Sequence, residues 1–216
     1  LKTLLKPDGV AVIEAPYLID FIEKVEFDTI YHEHFSYYSL TAVNNLVERH
    51  GLIVTNVERI NIHGGSLRYF ISHPGNKVSE AVKTFLDKEE KLGVKTYPFY
   101  KAFSQKVHEL RDKLLELLTK LKKDGKKIAA YGASAKETTL LNAFGIGKNI
   151  LDFVVDRSTV KQGYYTTGGH LPILSPDRLL QDQPDYVLLL TWNFKNEILE
   201  QQAPYRQAGG QFIVPI

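Results

Sequence analysis

Lys127-Ile128-Ala129-Ala130-Tyr131-Gly132-Ala133-Ser134-Ala135-Lys136 reads as a buried strand, a glycine turn and the opening of a helix. That order aims unpaired backbone N–H groups and the positive end of a helix dipole at an anion. Gly132 lets the backbone come close, Ser134 offers a hydroxyl, and Lys136 supplies a counter-charge near the helix start. Asp156 follows Gly132 by 24 residues at the end of the next strand, near the spacing at which an acid meets a ribose hydroxyl in dinucleotide folds. The fuller G-x-G-x-x-G pattern is absent, since Glu137 stands where its third glycine falls. A structural turn and a nucleotide or phosphate site both remain open for this stretch, as does an NAD-binding module of an oxidoreductase.

Outward from that turn, strands and helices alternate. Strands are expected over residues 127–131, 150–155, 186–190 and 211–215, with helices over 135–144 and over 194–206, the latter broken near Pro204. Repeated β-α units imply an α/β fold built on a parallel sheet. Upstream, residues 99–123 carry Tyr100, Phe103, Val107, Leu110, Leu114, Leu117 and Leu121 at alternating spacings of three and four, one apolar helical stripe. Packing along its own protein is the favoured use of that stripe, and a dimer through helix 99–123 is compatible with it. Residues 1–76 form a separate region: a strand at 10–14, a helix at 17–27, a polar and aromatic loop at 28–38, a helix to His50, then strands at 52–60 and 66–72. The opening at Leu1 reads as half a helix, so the chain is expected to be a fragment. Two domains are expected, 1–76 and 77–216.

Composition narrows the functional classes. The 216 residues carry 44% hydrophobic and 24% charged side chains, as in ordinary globular proteins. A net charge of +2 lacks the clustered basic character of nucleic-acid binders. No apolar run reaches membrane-spanning length. Cysteine is absent, which excludes disulfides and thiolate metal sites and fits a cytoplasmic protein.

Titratable groups are densest in Tyr31-His32-Glu33-His34-Phe35. In an extended segment His32 and His34 point the same way, as metal ligands would, although no third ligand lies near in sequence. A packed, hydrogen-bonded loop is a second explanation. Acid–base catalysis is the third: an imidazole near neutrality can take a proton from carbon, a neighbouring carboxylate can tune it, and a tyrosine hydroxyl can steady an oxyanion. His63, beside Gly64-Gly65 at a strand turn, is a candidate substrate contact, with a structural hairpin the commoner explanation of such a turn.

The run from Ile30 to Leu40 resembles the active-site segment of bacterial sugar-nucleotide C-methyltransferases. Ile62-His63-Gly64-Gly65-Ser66-Leu67-Arg68, Tyr131-Gly132-Ala133-Ser134-Ala135-Lys136, Val155-Asp156-Arg157-Ser158, Lys161-Gln162-Gly163 and Trp192-Asn193-Phe194 resemble that family's later motifs in the same order. The resemblance implies the end of a class I methyltransferase domain followed by a Rossmann-like domain. It implies S-adenosylmethionine as methyl donor, held mainly upstream of this chain, and zinc in an N-terminal segment, with no metal in these residues. The implied substrate is a keto-deoxysugar on a nucleoside diphosphate, methylated at the carbon next to the ketone. In that scheme His34 is the base, Tyr31 and Glu33 assist it, and Ser134, Lys136, Asp156, Arg157 and His63 contact the substrate.

Overall fold

A computed structural model describes residues 1–62 and 64–216. His63, expected to touch substrate, lies outside the described residues. The chain divides into two compact units, Leu1–Glu26 with Phe35–Lys106, and Phe27–His34 with Val107–Ile216. Among the described residues no helix is long and apolar enough to cross a membrane.

The first unit holds strand β1 (Val10–Pro16), helix α1 (Leu18–Glu23), helix α2 (Leu40–Arg49), strands β2 (Ile53–Ile60) and β3 (Ser66–Ser72), and helix α3 (Glu80–Leu92). Its sheet is antiparallel in the order β1-β3-β2. The register sets Arg68 between Glu14 and Glu58, and its guanidinium lies 3.0 Å from Glu14 Oε2 and 3.7 Å from Glu58 Oε2. Tyr17, Ile19, Leu40, Leu67, Tyr69 and Ile71 form the centre of the core. Ser39 caps α2 by accepting the Ala42 N–H, and buried Glu89 of α3 accepts the Leu40 and Thr41 N–H groups, each at 2.7 Å. A carboxylate at that helix end meets both orphan donors and the dipole.

The helix expected over 17–27 stops four residues early. Val25 takes φ +59° and the Glu26 N–H reaches back to the Phe21 carbonyl at 2.9 Å. This is a left-handed helix terminator of the kind glycine usually makes. A β-branched residue there is strained and gives no warning in the sequence. Helix α3, carried by the Lys- and Glu-rich stretch after residue 78, is a further element that the apolar pattern did not announce.

Helix α4 (Tyr97–Lys123) follows, then β4 (Ile128–Tyr131), α5 (Ala135–Phe144), β5 (Val154–Val155), β6 (Ile173–Leu174), α6 (Asp177–Asp182), β7 (Tyr186–Leu189), α7 (Lys195–Gln201), α8 (Ala203–Gln207) and β8 (Gln211–Ile213). These strands make one parallel sheet in the order β6-β5-β4-β7-β8. Alternate residues Ala129, Tyr131, Val155, Val187 and Leu189 share a cluster with Leu179, Ile198 and Tyr205 of α6, α7 and α8. Ile128, Ala130, Val154 and Leu188 point the other way and are also buried, so both faces are covered.

Three expectations shift here. In α4, Leu118 is fully buried while Leu117 is 42% exposed, because a straight helix follows a period of 3.6 rather than 3.5 residues. β5 shrinks to two residues: Ile150 and Leu151 turn back to the Gly147 carbonyl, and the Asp152 side chain rather than a backbone oxygen meets the Ile128 N–H. The break expected near Pro204 falls at Gln202, since proline belongs in the first turn of a new helix. Edge strand β6 had no signal beyond two apolar residues.

Candidate functional site

The second unit places its polar residues where its sheet changes direction. From β4 the chain runs outward to β5 and β6 on one side, and later to β7 and β8 on the other. Ligands of open α/β sheets bind outside the carboxyl ends of the strands at such a point. Gly132 leaves β4 there, Asp156 leaves β5, and Thr191 to Asn193 follow β7. A cavity of about 480 Å³ lies among them, bordered by Tyr131, Gly132, Asp156, Arg157, Thr191 and Phe194. Gly132 sits at φ +101°, and a Cβ on it would stand 2.5 Å from Thr191 Cγ2, so both conformation and space demand glycine.

Around that turn most groups are already committed to the protein. Ser134 takes the N-cap of α5, its hydroxyl accepting the Glu137 N–H at 3.4 Å. Asp156 Oδ2 accepts the Ala133 N–H at 2.7 Å and Oδ1 accepts the Ser158 N–H at 2.8 Å, so its carboxylate ties two loops together. Lys161 donates to the Ala133 carbonyl at 2.6 Å and lies 3.7 Å from Asp156. Arg157 donates to Glu197 at 3.0 Å and to Gln201 at 3.3 Å. Glu137, the departure from the glycine pattern, is buried and hydrogen-bonded by the Thr138 hydroxyl; burial pushes its carboxyl up to about 7 against the pull of Thr138 and Lys161.

The segment Phe27–His34 belongs to this same unit. It opens as a 3₁₀ turn (Phe27–Thr29), continues through the bonds Ile30 N–H to Phe27 O and Tyr31 N–H to Thr29 O, and closes with His34 N–H to Tyr31 O at 2.9 Å. Two side chains anchor it. Phe27 stacks on Phe144 at the end of α5, ring centroids 4.8 Å apart. Asp28, wholly buried, accepts the indole N–H of Trp192 at 2.7 Å. Burial pushes the Asp28 carboxyl up to about 6, with the Trp192 bond and the charge of Lys136 acting the other way. Lys136 Nζ rests 4.5 Å from the Trp192 ring centroid and donates to Asn193 Oδ1 at 3.2 Å. The Tyr31 segment and the Lys136 turn thus meet on one indole.

Closing that turn brings Tyr31 Oη within 2.9 Å of His34 Nε2, with the rings edge to face. Burial, then the charges of Glu33 and Asp28, hold the Tyr31 hydroxyl above its usual range, so it stays protonated at neutral pH. A protonated phenol beside an imidazole can donate to a developing oxyanion or share the imidazole's proton. Glu33 does not join them directly: its side chain is 68% exposed and lies 3.9 Å from His32 Nε2. Among the described residues no three histidine or acidic groups gather as a metal site.

Sequence reasoning named Tyr31, His34 and Lys136, and placed Trp192-Asn193-Phe194 among the family-like motifs without a role. It missed Asp28. Asp28 lies just before the aromatic run, but its partner is 164 residues away and no local pattern marks that bond.

Residues 61–216 match the C-methyltransferase C-terminal domain. Over 218 aligned positions the chain is also 38% identical to C-methyltransferase NovU of Streptomyces niveus, covering all of this chain and 52% of that protein. The chain therefore spans about half the length of this curated relative. These matches lend no support to the oxidoreductase alternative. On the family match over residues 61–216, the chain belongs to the family of the C-methyltransferase C-terminal domain.

Proposed function

We propose that this chain carries the acid–base half of an S-adenosylmethionine-dependent C-methylation, acting on a keto-deoxysugar linked to a nucleoside diphosphate. One observation supports this above the rest: the hydrogen bond that holds the Tyr31 hydroxyl 2.9 Å from His34 Nε2, a protonated donor beside an imidazole. The proton on a carbon beside a ketone is acidic because the electron pair it leaves is delocalised onto the keto oxygen. His34 takes that proton, and the Tyr31 hydroxyl donates to the oxygen as its charge grows. Glu33 acts at longer range, its charge helping to keep Tyr31 protonated.

The diphosphate is assigned to the start of α5, with Lys136 as counter-charge and the Ser134 cap and helix dipole behind it. Asp156 and Arg157 border the adjoining cavity, Asp156 by shaping the loop and Arg157 from its far side. His63 remains a proposed substrate contact. In architecture the reading is the end of a class I methyltransferase domain and a Rossmann-like domain, in a cytoplasmic enzyme.

S-adenosylmethionine supplies the methyl group. The acid that would meet its ribose beside the Gly132 turn, Asp156, has both oxygens bonded to loop amides. That donor set does not fit an adenosyl group, so the donor is assigned outside this turn and the roles of these residues all precede methyl transfer. The test is His34→Ala in the full-length protein, with methyl transfer and nucleotide-sugar binding measured together. Transfer is expected to fall by about 10²–10⁴-fold with binding retained; transfer at the wild-type rate removes His34 as the base.

A further inference from the structure

Asp28 is an unusual residue to find where it stands. Its side chain has no exposed surface, and it shares its surroundings with the Phe27–Phe144 stack. A carboxylate in such a place costs stability unless it is well paired, and an apolar side chain of similar size is often the more stable choice. Its main hydrogen bond comes from the indole N–H of Trp192, in the turn after β7, with the charge of Lys136 and the nearby Asp28 and Thr29 N–H groups adding to it. The burden is therefore one that packing alone does not explain.

Three residues after Asp28 comes Tyr31, held to it by the tight turns Ile30 N–H to Phe27 O and Tyr31 N–H to Thr29 O. With so short and bonded a connection, the place of Asp28 sets the place of the Tyr31 ring, and through it of His34. Trp192 in turn lies under Lys136. Resting on the function proposed above, we propose that Asp28 is a positioning residue: its hydrogen bond from Trp192 fixes the Tyr31–His34 pair against the loop that faces the substrate's diphosphate. Asp28 touches no reacting atom. It acts through the backbone of the turn, and the indole joins the anion-binding end of the site to the proton-abstracting end.

Three variants of the full-length enzyme separate this from a merely structural role. Trp192→Phe keeps a ring beneath Lys136 and removes the N–H donor. Asp28→Ala removes the acceptor, and Asp28→Asn keeps an acceptor oxygen without the charge. Displacing a catalytic pair by about 1 Å lowers turnover by up to about 100-fold. Trp192→Phe and Asp28→Ala are therefore expected to lower kcat by about 10–100-fold with KM for the nucleotide sugar changed less than about threefold, and Asp28→Asn to restore kcat to within about threefold of wild type. Wild-type kcat in both Trp192→Phe and Asp28→Ala overturns the proposal, as does a loss confined to thermal stability. Asp28→Asn as damaged as Asp28→Ala also overturns it, because charge rather than the indole bond would then be at work. His34→Ala in the same assay keeps the two levels apart. Inactive His34→Ala beside fully active Trp192→Phe and Asp28→Ala sinks the positioning role alone, whereas active His34→Ala sinks the function on which it rests.

Discussion

The Tyr31 run and the Gly132 turn belong to one unit and look equally chemical in sequence, yet they spend their polar groups differently. Around Gly132, the Ser134 hydroxyl, both Asp156 oxygens, Lys161 and Arg157 are bonded to neighbouring protein groups. In the Tyr31 run, the tyrosine and histidine bond to each other, the hydroxyl to the imidazole and ring edge to ring face. The lesson is that a motif's residues can build a site without being the atoms that react. Substitutions in the two regions should therefore fail in different ways.

After His34→Ala, the largest effect is expected at Tyr31. Tyr31→Phe removes the donor to the oxyanion and should lower kcat about 100-fold, with unfolding free energy nearly unchanged. Equal losses of rate and stability there would erase the contrast between the regions. Asp156→Ala should do the reverse: with the Ala133 and Ser158 N–H groups left unpaired, denaturant unfolding should show a loss of about 1–3 kcal/mol.

A pH experiment sharpens the same contrast at Glu137. Its folded carboxyl is pushed to about 7 by burial, above its ordinary 4.5. Between those values the folded protein keeps a proton that the unfolded chain releases, so this group's contribution favours folding less as pH rises from 4.5 to 7, and the loss persists above 7. Glu137→Gln cannot release that proton. Relative to wild type it should gain about 1–3 kcal/mol of stability at pH 8 over its value at pH 5, read from denaturant curves at both. No difference between the two pH values would mean that Glu137 is solvated rather than buried. The smallest effect is expected at exposed Glu33, where Glu33→Gln should lower kcat only about two- to fivefold. A loss as large as that of Tyr31→Phe would place Glu33 among the reacting groups.

Much of the fold was legible because local signals agreed. α5 was expected over 135–144 and spans Ala135–Phe144, since Ser134 caps it and Gly145 closes it at φ +68°. The two strands around the Gly64-Gly65 turn were equally plain. What escaped depended on long-range or strained features: Val25 as a helix terminator, the two-residue edge strand β6 paired only with its neighbour β5, and the use of Leu118 instead of Leu117. The site divides in the same way. Tyr31 and His34 are three apart, and one turn joins them. Nothing local shows that Asp28 meets Trp192, or that Asp156 is occupied by amides of its own loops.

The central claim is that His34 removes a proton from the carbon beside the substrate's ketone. It is tested most directly by incubating the full-length protein with a nucleoside-diphosphate keto-deoxysugar in heavy water, without methyl donor, and following deuterium at that carbon by mass spectrometry. Wild type is expected to incorporate deuterium well above the rate without enzyme, and His34→Ala to remain at that background. Exchange by His34→Ala at the wild-type rate would contradict the account.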